Sequence, residues 1–349
     1  MKMFILLLGI VLFFYNCSND AVENKVTTRQ ANVTLLATHT GLGDNGYNDQ
    51  ATKGIFSFME EHDVPVKLLL PKDMVEAENM YQQWLQQNAE CDSAVLVVGN
   101  SEYVNMLKRS VPKLNGRGSR VLLFESDETI EGVSTVMVGR YGVSYLAGTM
   151  SKEFDTFILA ATSGIPSLEE AIKGFSDGHR EAGDGTREVT LQYLADGEEG
   201  FAMADSAYHT LYKRAEQYWS YDEMIFPLLG GSEAGIIKYL NSEDLNQALS
   251  IGMDVNKAGQ STRIPFSMVI HVDKVIKLYL DNWIVGENWP ATQRFGLSDG
   301  MADIAMTPHF FDNVDIWDDR YDDNDTFLNL YKYYYEQAKK KEYEYKQQK

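Results

Sequence analysis

Short runs of aliphatic residues alternate along the chain with segments in which apolar residues recur every three or four positions. The short runs predict strands, and the longer periodic segments predict helices. The predicted strands are 32–38, 65–70, 94–99, 120–125, 134–138, 156–161, 188–194, 224–229 and 249–253. The predicted helices lie near 48–61, 75–88, 101–110, 142–153, 167–182, 203–216, 233–241, 271–285 and 326–345. This alternation is typical of βαβ units and parallel sheets.

The number of predicted strands is too large for one small α/β unit. A chain of 349 residues also exceeds the usual size of one domain, roughly 100–200 residues. We therefore expect two α/β lobes that face each other across a cleft. Ligands of open parallel sheets bind beyond the carboxyl ends of the strands, so the polar residues that follow the strands are the candidate binding residues.

The N-terminus carries the pattern of an export signal. Residues 1–16 read MKMFILLLGIVLFFYN, a basic start followed by an apolar run of signal-peptide length that is short for a bilayer span of about 20 residues. Cys17 follows, and the next polar stretch, 17–30, predicts a flexible tether. The segment resembles a bacterial lipoprotein signal, which implies lipidation of Cys17 and attachment to a membrane. An uncleaved anchor and an ordinary cleaved signal are the alternatives.

Charge and cysteine content exclude several classes of protein. Lys and Arg total 31 against 51 Asp and Glu, a net charge of −20, so a nucleic-acid polymer would be repelled. The two cysteines, Cys17 and Cys91, are too few for a disulfide framework or a four-cysteine zinc site. Cys91, at the start of an apolar strand, is expected in the core.

Motifs for catalysis or for a metal are missing from the sequence. It contains no G-x-S-x-G, and the six histidines show neither H-E-x-x-H nor another close metal spacing. The Asp-rich run at 312–326 lacks the order of a calcium loop and predicts a solvated loop. We therefore predict no catalytic residue, no metal and no cofactor.

The loop after the first predicted strand has the dinucleotide-like pattern Gly41-Leu-Gly43-Asp-Asn-Gly46. The carboxylate of Asp44 would oppose a pyrophosphate, and the next strand ends without an acid placed for a ribose, which argues against a nicotinamide site. The cluster of Asp44, Asn45, Tyr47, Asn48 and Asp49 suits a neutral polyhydroxylated ligand instead. Carboxylates and amides bind hydroxyls, and an aromatic ring covers an apolar face.

Five motifs follow one another along residues 30–306. They are Asp44-Asn-Gly-Tyr47-Asn48, Ser144-Tyr-Leu-Ala-Gly148, Gly174-Phe175 with Gly178, Phe226 through Gly230-Gly231, and Ile251-Gly-Met-Asp254. In this order they resemble the basic membrane protein family of ABC-transporter substrate-binding lipoproteins. The resemblance implies two Rossmann-like lobes of the type I periplasmic-binding architecture, joined by three crossovers. By this analogy the first lobe is 30–139 plus 266–290, and the second is 140–265 plus 291–349.

The best-known members of that family are purine nucleoside receptors, so the resemblance also implies site residues. The implied set begins with Asp44, Asn45, Tyr47 and Asn48. It also contains an acid after the fourth strand, which is Glu125 with Asp127 as the alternative. An aromatic ring for stacking, a glycine turn and a ribose-binding acid complete the set, and these are Phe226, Gly230 and Asp254. Ile270 stands where the family has a lysine, and Gly142 and Val143 stand where it has a glutamate. A sugar or a free base is therefore an alternative ligand.

The resulting hypothesis is an exported lipoprotein that binds a small polar ligand, such as a purine nucleoside, and presents it to an ABC permease without chemistry. A ligand-sensing surface lipoprotein of the same fold is the first alternative. A secreted hydrolase that uses carboxylates of the cleft is the second.

Overall fold

The computed structural model describes residues 32–114, 118–217, 223–242, 248–308, 310 and 326–348. The predicted signal peptide, Cys17, the tether and positions 312–325 of the Asp-rich run lie outside these residues. Within the described ranges, no helix combines the length and the apolar character that a membrane span requires.

The strands follow the predicted order and add four to it. They are β1 (Asn32–Leu36), β2 (Val66–Leu69), β3 (Ala94–Val98), β4 (Arg120–Phe124), β5 (Ser134–Val138), β6 (Asp155–Ala160), β7 (Val189–Tyr193), β8 (Glu223–Leu228), β9 (Leu249–Ser250), β10 (Gly252–Asp254), β11 (Phe266–Ile270), β12 (Thr292–Phe295) and β13 (Ala302–Met306). The ninth predicted strand is divided into β9 and β10. The pattern missed β11, β12 and β13; β12 is polar and half-exposed, so it lacks an apolar run.

The helices all occupy predicted segments. They are α1 (Tyr47–His62), α2 (Met74–Asn88), α3 (Val104–Arg109), α4 (Tyr141–Met150), α5 (Pro166–Ala182), α6 (Ala204–Gln217), α7 (Glu233–Leu240), α8 (Val272–Ile284) and α9 (Thr326–Lys346). Short 3-10 helices lie at Ser101–Tyr103, Glu198–Ala202, Gly230–Ser232 and Leu297–Asp299.

The first lobe is built on a six-stranded parallel sheet in the order β12-β5-β4-β3-β1-β2. Its central strand β3, AVLVV, is buried at every position. Val95 and Val97 join one hydrophobic cluster, and Leu96 and Val98 join another on the opposite face. A strand covered by helices on both faces explains why its sequence is an unbroken apolar run.

The second lobe contains the parallel sheet β7-β6-β8-β9. A three-stranded sheet, β10-β11-β13, pairs β10 and β11 in parallel and β13 antiparallel to β11. Both lobes therefore use parallel strands connected by helices, and the predicted α/β fold class with two Rossmann-like lobes is confirmed.

Two strands depart from the predicted lobe boundaries. Residues 291–349 were assigned to the second lobe, whereas β12 pairs with β5 at the edge of the first sheet, with Thr292 opposite Thr135. Residues 266–290 were assigned to the first lobe, whereas β11 belongs to the three-stranded sheet. Sequence order cannot reveal these pairings, because the partners of β11 and β12 are set by where the chain crosses between the sheets.

Glycines allow α4 and α5 to pack in close contact. A methyl group added to Gly148 on α4 would lie 2.2 Å from the carbonyl oxygen of Phe175, and one added to Gly178 on α5 would lie 2.0 Å from that of Tyr145. The two glycine-containing motifs of these helices therefore serve backbone-to-backbone packing, which any larger side chain would prevent.

Candidate functional site

A cavity lies where the carboxyl ends of strands from both lobes meet. Its wall contains residues that lie one or two positions after a strand, namely Thr38 after β1, Glu125 after β4, Arg140 after β5 and Leu229 after β8, together with Asp254, which ends β10. The cavity has a volume of about 110 Å³, several times the roughly 10–15 Å³ that one water needs. Parallel strands thus place their loops around one ligand-sized space.

The loop before α1 is organised by the carboxylate of Asp44. Its Oδ1 accepts from the amide of Gly46 at 2.9 Å, and its Oδ2 accepts from the amide of Asn48 at 2.9 Å. The carboxylate of Asp49 accepts from the amides of Gly43 and Asn45 at 2.8 and 2.9 Å. The amides that would bind a phosphate in a dinucleotide loop are thus already bonded to carboxylates of the same loop.

The first turn of α1 brings Tyr47 and Asn48 to the cavity. The Tyr47 hydroxyl donates to the carbonyl of Gly99 at 2.6 Å, which fixes the ring. Burial, together with the charge of Glu125, raises the pKa of Tyr47 well above its usual value. The side-chain oxygen Oδ1 of Asn48 accepts from the Thr38 hydroxyl at 3.0 Å, so the Asn48 side chain is also held in one orientation.

A buried ion pair joins Glu125 and Arg140 in the cavity wall. The guanidinium of Arg140 donates to Oε2 of Glu125, and the two side chains are 8% and 6% exposed. The other carboxylate oxygen, Oε1, is buried without a hydrogen-bond partner among the described residues. Burial raises the pKa of Glu125, and the charge of Arg140 opposes that rise. Glu125 also has a φ of 56°, an unfavourable backbone conformation for a residue with a side chain.

Asp254 supplies a second carboxylate from the other lobe. Its φ of 64° is also left-handed, and burial raises its pKa while the charges of Arg140 and Lys257 oppose the rise. The carbonyl of Asp254 accepts from Nε2 of Gln50 at 2.6 Å. No side chain in the described ranges donates to its carboxylate, which leaves these oxygens available to a ligand.

The aromatic residue that the second lobe contributes to the cavity is Phe201, not Phe226. The prediction for Phe226 is wrong because this side chain is fully buried, with its ring 4.6 Å from that of Phe175. Gly230 has a φ of 53°, and a methyl group added there would lie 3.0 Å from Cδ1 of Phe201. The double-glycine turn therefore leaves room for the Phe201 ring.

Two further predicted residues do not line this cavity. The carbonyl of Asn45 accepts from Nζ of Lys257 at 2.8 Å, and Asn45 borders a separate shallow pocket. Asp127 forms an ion pair with Arg294 outside the cavity wall. Asp44, Tyr47, Asn48, Glu125, Gly230 and Asp254 are brought together as expected.

The cation of the cavity is Arg140, which the sequence analysis missed. Ile270, where a lysine was expected, is fully buried in the hydrophobic core. Arg140 follows β5 within two residues, so the general expectation that polar residues after strands line the cleft also covers Arg140. The family resemblance indicated a cation at residue 270, on β11, whereas the positive charge follows β5.

Comparison with known proteins is consistent with this architecture. The sequence profile of the Bmp family, described as ABC transporter substrate-binding protein PnrA-like, matches residues 31–327. No curated protein matches the sequence at a significant level.

Several solved structures share the fold at low sequence identity. A solute-binding protein of an ABC transporter system from Aeropyrum pernix is 16% identical over 88% of this chain and 86% of its own, with a TM-score of 0.67. A transcriptional activator of the comK gene from Bacillus halodurans is 15% identical over 87% and 97%, with a TM-score of 0.62. A Burkholderia graminis solute-binding protein in complex with D-arabinose is 14% identical over 79% and 95%, with a TM-score of 0.58.

Proposed function

Because the chain belongs to the Bmp family of PnrA-like ABC transporter substrate-binding proteins, we propose that its cavity captures a small polyhydroxylated ligand for a permease, with a purine nucleoside as the leading candidate. One observation carries this proposal: the cavity combines an aromatic ring from each lobe, Tyr47 and Phe201, with the carboxylate of Asp254, which accepts no side-chain hydrogen bond from the part of the chain that the structure describes. Aromatic rings bind the face of a base or sugar, and a carboxylate accepts from hydroxyl groups.

The charge of the wall supports a ligand without phosphate. Four carboxylates other than Asp254 line the cavity, those of Asp44, Glu102, Glu125 and Glu198, and the arginine among them is already paired with Glu125. An anionic ligand would meet uncompensated negative charge in a partly buried space. The D-arabinose in the Burkholderia graminis relative also favours a neutral polyhydroxylated ligand.

The ligand proposal is tested by a thermal-shift screen of nucleosides, free bases and sugars, followed by calorimetric titration of the compounds that bind. Asp254→Asn keeps the shape of the side chain but weakens its hydrogen bonds, and a lost charge-assisted bond of about 1.5–3 kcal/mol corresponds to about 10- to 150-fold in affinity. Asp127→Asn is the matched control outside the cavity. Equal affinities of the two variants, or no nucleoside that binds, would contradict the assignment.

We also propose that the bound ligand leaves the protein chemically unchanged. The carboxylates of the loop before α1 already accept backbone amides, and Glu125 is paired with Arg140, which favours binding over proton transfer. Mass spectrometry of a nucleoside after prolonged incubation with the protein tests this. Recovery of free base and sugar would support the hydrolase alternative.

Export and lipidation of Cys17 complete the proposal, and they rest on the N-terminal pattern. Cys17→Ser should abolish labelling with an alkyne fatty acid in a bacterial host and release the protein from the membrane fraction. Cys91→Ser is the control, since Cys91 lies within the folded lobe next to β3. Retained labelling of the Cys17 variant would refute the anchor.

A sensing role is the second candidate, and the Bacillus halodurans relative favours it because its description is that of a transcriptional activator with the same fold. Uptake of radiolabelled ligand separates the two roles. Loss of uptake in cells that lack the protein supports transport. Unchanged uptake with an altered transcriptional response to the ligand supports sensing.

A further inference from the structure

Three side chains with metal-binding atoms converge in the cavity wall, and they come from both lobes. His39 follows β1, Glu102 lies in the 3-10 helix Ser101–Tyr103 after β3, and Glu198 begins the 3-10 helix Glu198–Ala202 after β7. One nitrogen or oxygen from each lies within 4.8 Å of the others. Within this group, Nδ1 of His39 is 2.5 Å from Oε2 of Glu102.

Hydrogen bonds orient the first-lobe part of this cluster. The amide of Glu102 donates to Oδ1 of Asn100 at 2.9 Å, and the amide of His39 donates to Oε1 of Glu102 at 3.2 Å. The Glu102 side chain is only 3% exposed. Such hydrogen bonds orient a carboxylate and an imidazole in the way that supporting residues orient metal ligands.

The second-lobe member places a like charge beside this pair. A carboxylate oxygen of Glu198 lies within 4.8 Å of the ligand atoms of Glu102 and His39. Two carboxylates that approach each other in a partly buried space repel unless a proton or a cation lies between them. The cluster therefore has negative charge in excess of the single imidazole, as a cation site requires.

We propose that His39, Glu102 and Glu198 form a site for a divalent transition metal that connects the two lobes. Imidazole and carboxylate together suit Zn²⁺. Ligand atoms about 2.0–2.2 Å from a tetrahedral zinc lie roughly 3.4 Å from one another. The separations here, from 2.5 Å to within 4.8 Å, bracket that value.

The site has a consequence for the closure of the lobes. All three protein ligands reach the ion only when Glu198 of the second lobe lies beside His39 and Glu102 of the first, so the metal stabilises this arrangement of the lobes. All three residues line the cavity, so a ligand held there lies beside the metal site. Neither statement depends on which organic ligand the cavity holds.

Sequence spacing could not reveal this site, because His39 and Glu102 are 63 residues apart. No metal was expected from the sequence, because the six histidines show no close metal spacing and the Asp-rich run lacks the order of a calcium loop. Only the meeting of three strand-end loops from two lobes brings these side chains together.

Calorimetric titration of Zn²⁺ into the chelator-stripped full chain tests the proposal. We expect one zinc per chain in the wild type. Loss of a supporting residue alone costs about 10- to 100-fold in metal affinity, so Glu198→Gln and His39→Ala, which remove direct ligands, should cost at least about 100-fold. The controls are Glu199→Gln and His209→Ala, which remove exposed residues of the same types outside the cluster. The zinc affinity of these two variants should stay within about 2-fold of the wild type.

Three outcomes would overturn the proposal. They are the absence of saturable binding, equal zinc affinities in Glu198→Gln and Glu199→Gln, and weak binding of several ions that no variant changes, which would indicate general attraction to an acidic surface. Circular dichroism checks that each variant is folded. An anomalous difference map at the zinc edge then locates the ion at His39, Glu102 and Glu198 or elsewhere.

Discussion

The buried pair between Arg140 and Glu125 gives a quantitative prediction for stability. Both side chains are at least nine-tenths buried, so Arg140→Met leaves the Glu125 carboxylate without its counter-charge. Breaking a buried pair in this way costs about 3–5 kcal/mol. The loss should be at the upper end, since Arg140 also offsets the charge of Asp254.

The double variant distinguishes loss of charge pairing from loss of packing. In Arg140→Met with Glu125→Gln, no charge of the pair remains buried, and we expect an unfolding free energy within about 2 kcal/mol of the wild type. The two changes should therefore be strongly non-additive. Arg109→Met is the control, because Arg109 is 60% exposed and its ion pair with Glu78 at 3.0 Å lies on the surface. That change should cost less than about 1 kcal/mol.

The loss of unfolding free energy in Arg140→Met should also depend on pH. Burial already raises the pKa of Glu125 above its unfolded value, and without the arginine the folded pKa rises further. A carboxyl with a raised folded pKa favours the folded state while it is protonated, and this stabilisation is lost as the pH rises through the folded pKa. The variant should therefore lose stability relative to wild type between pH 5 and pH 8.

Urea denaturation followed by circular dichroism at these two pH values measures both effects. The reasoning about the buried pair is refuted if Arg140→Met costs no more than Arg109→Met, or if its deficit is the same at both pH values. An additive double variant would show that packing rather than charge explains the loss.

Two further predictions concern packing and the assignment of aromatic residues. Gly178→Ala places a methyl group 2.0 Å from the carbonyl of Tyr145, so it should lower the unfolding free energy by at least about 1–3 kcal/mol. Gly259→Ala meets no atom within 4 Å and should change stability by less than about 0.5 kcal/mol; similar denaturation midpoints for both variants would contradict the close packing of α4 and α5. Phe226→Leu should cost about 1–2 kcal/mol of stability without changing ligand affinity, whereas Phe201→Leu should weaken the ligand by about 2- to 10-fold with little change in stability. The opposite pattern in calorimetry and denaturation would restore Phe226 as the stacking residue.

Much of the candidate site was predictable, because residues that directly follow buried strands are identifiable from the pattern. Asp44 was found in this way, and the family resemblance added Glu125 and Asp254; the cavity contains all three. Phe201 was missed because it lies on a 3-10 helix that no hydrophobic period marks. Phe226 was misplaced because its motif is apolar throughout, and such a motif does not show which side chain faces the core.

The sequence by itself determined the class of the fold and the edge of the sheets at which the cavity lies. Alternating apolar runs and helical periods require parallel strands with crossover helices, and the carboxyl ends of such strands converge. Only the tertiary structure decided which loops of the two lobes meet. It placed Arg140 rather than residue 270 beside Glu125, and it joined His39 and Glu102 to Glu198. Contacts between distant segments depend on how the two sheets pack, and no local pattern records that.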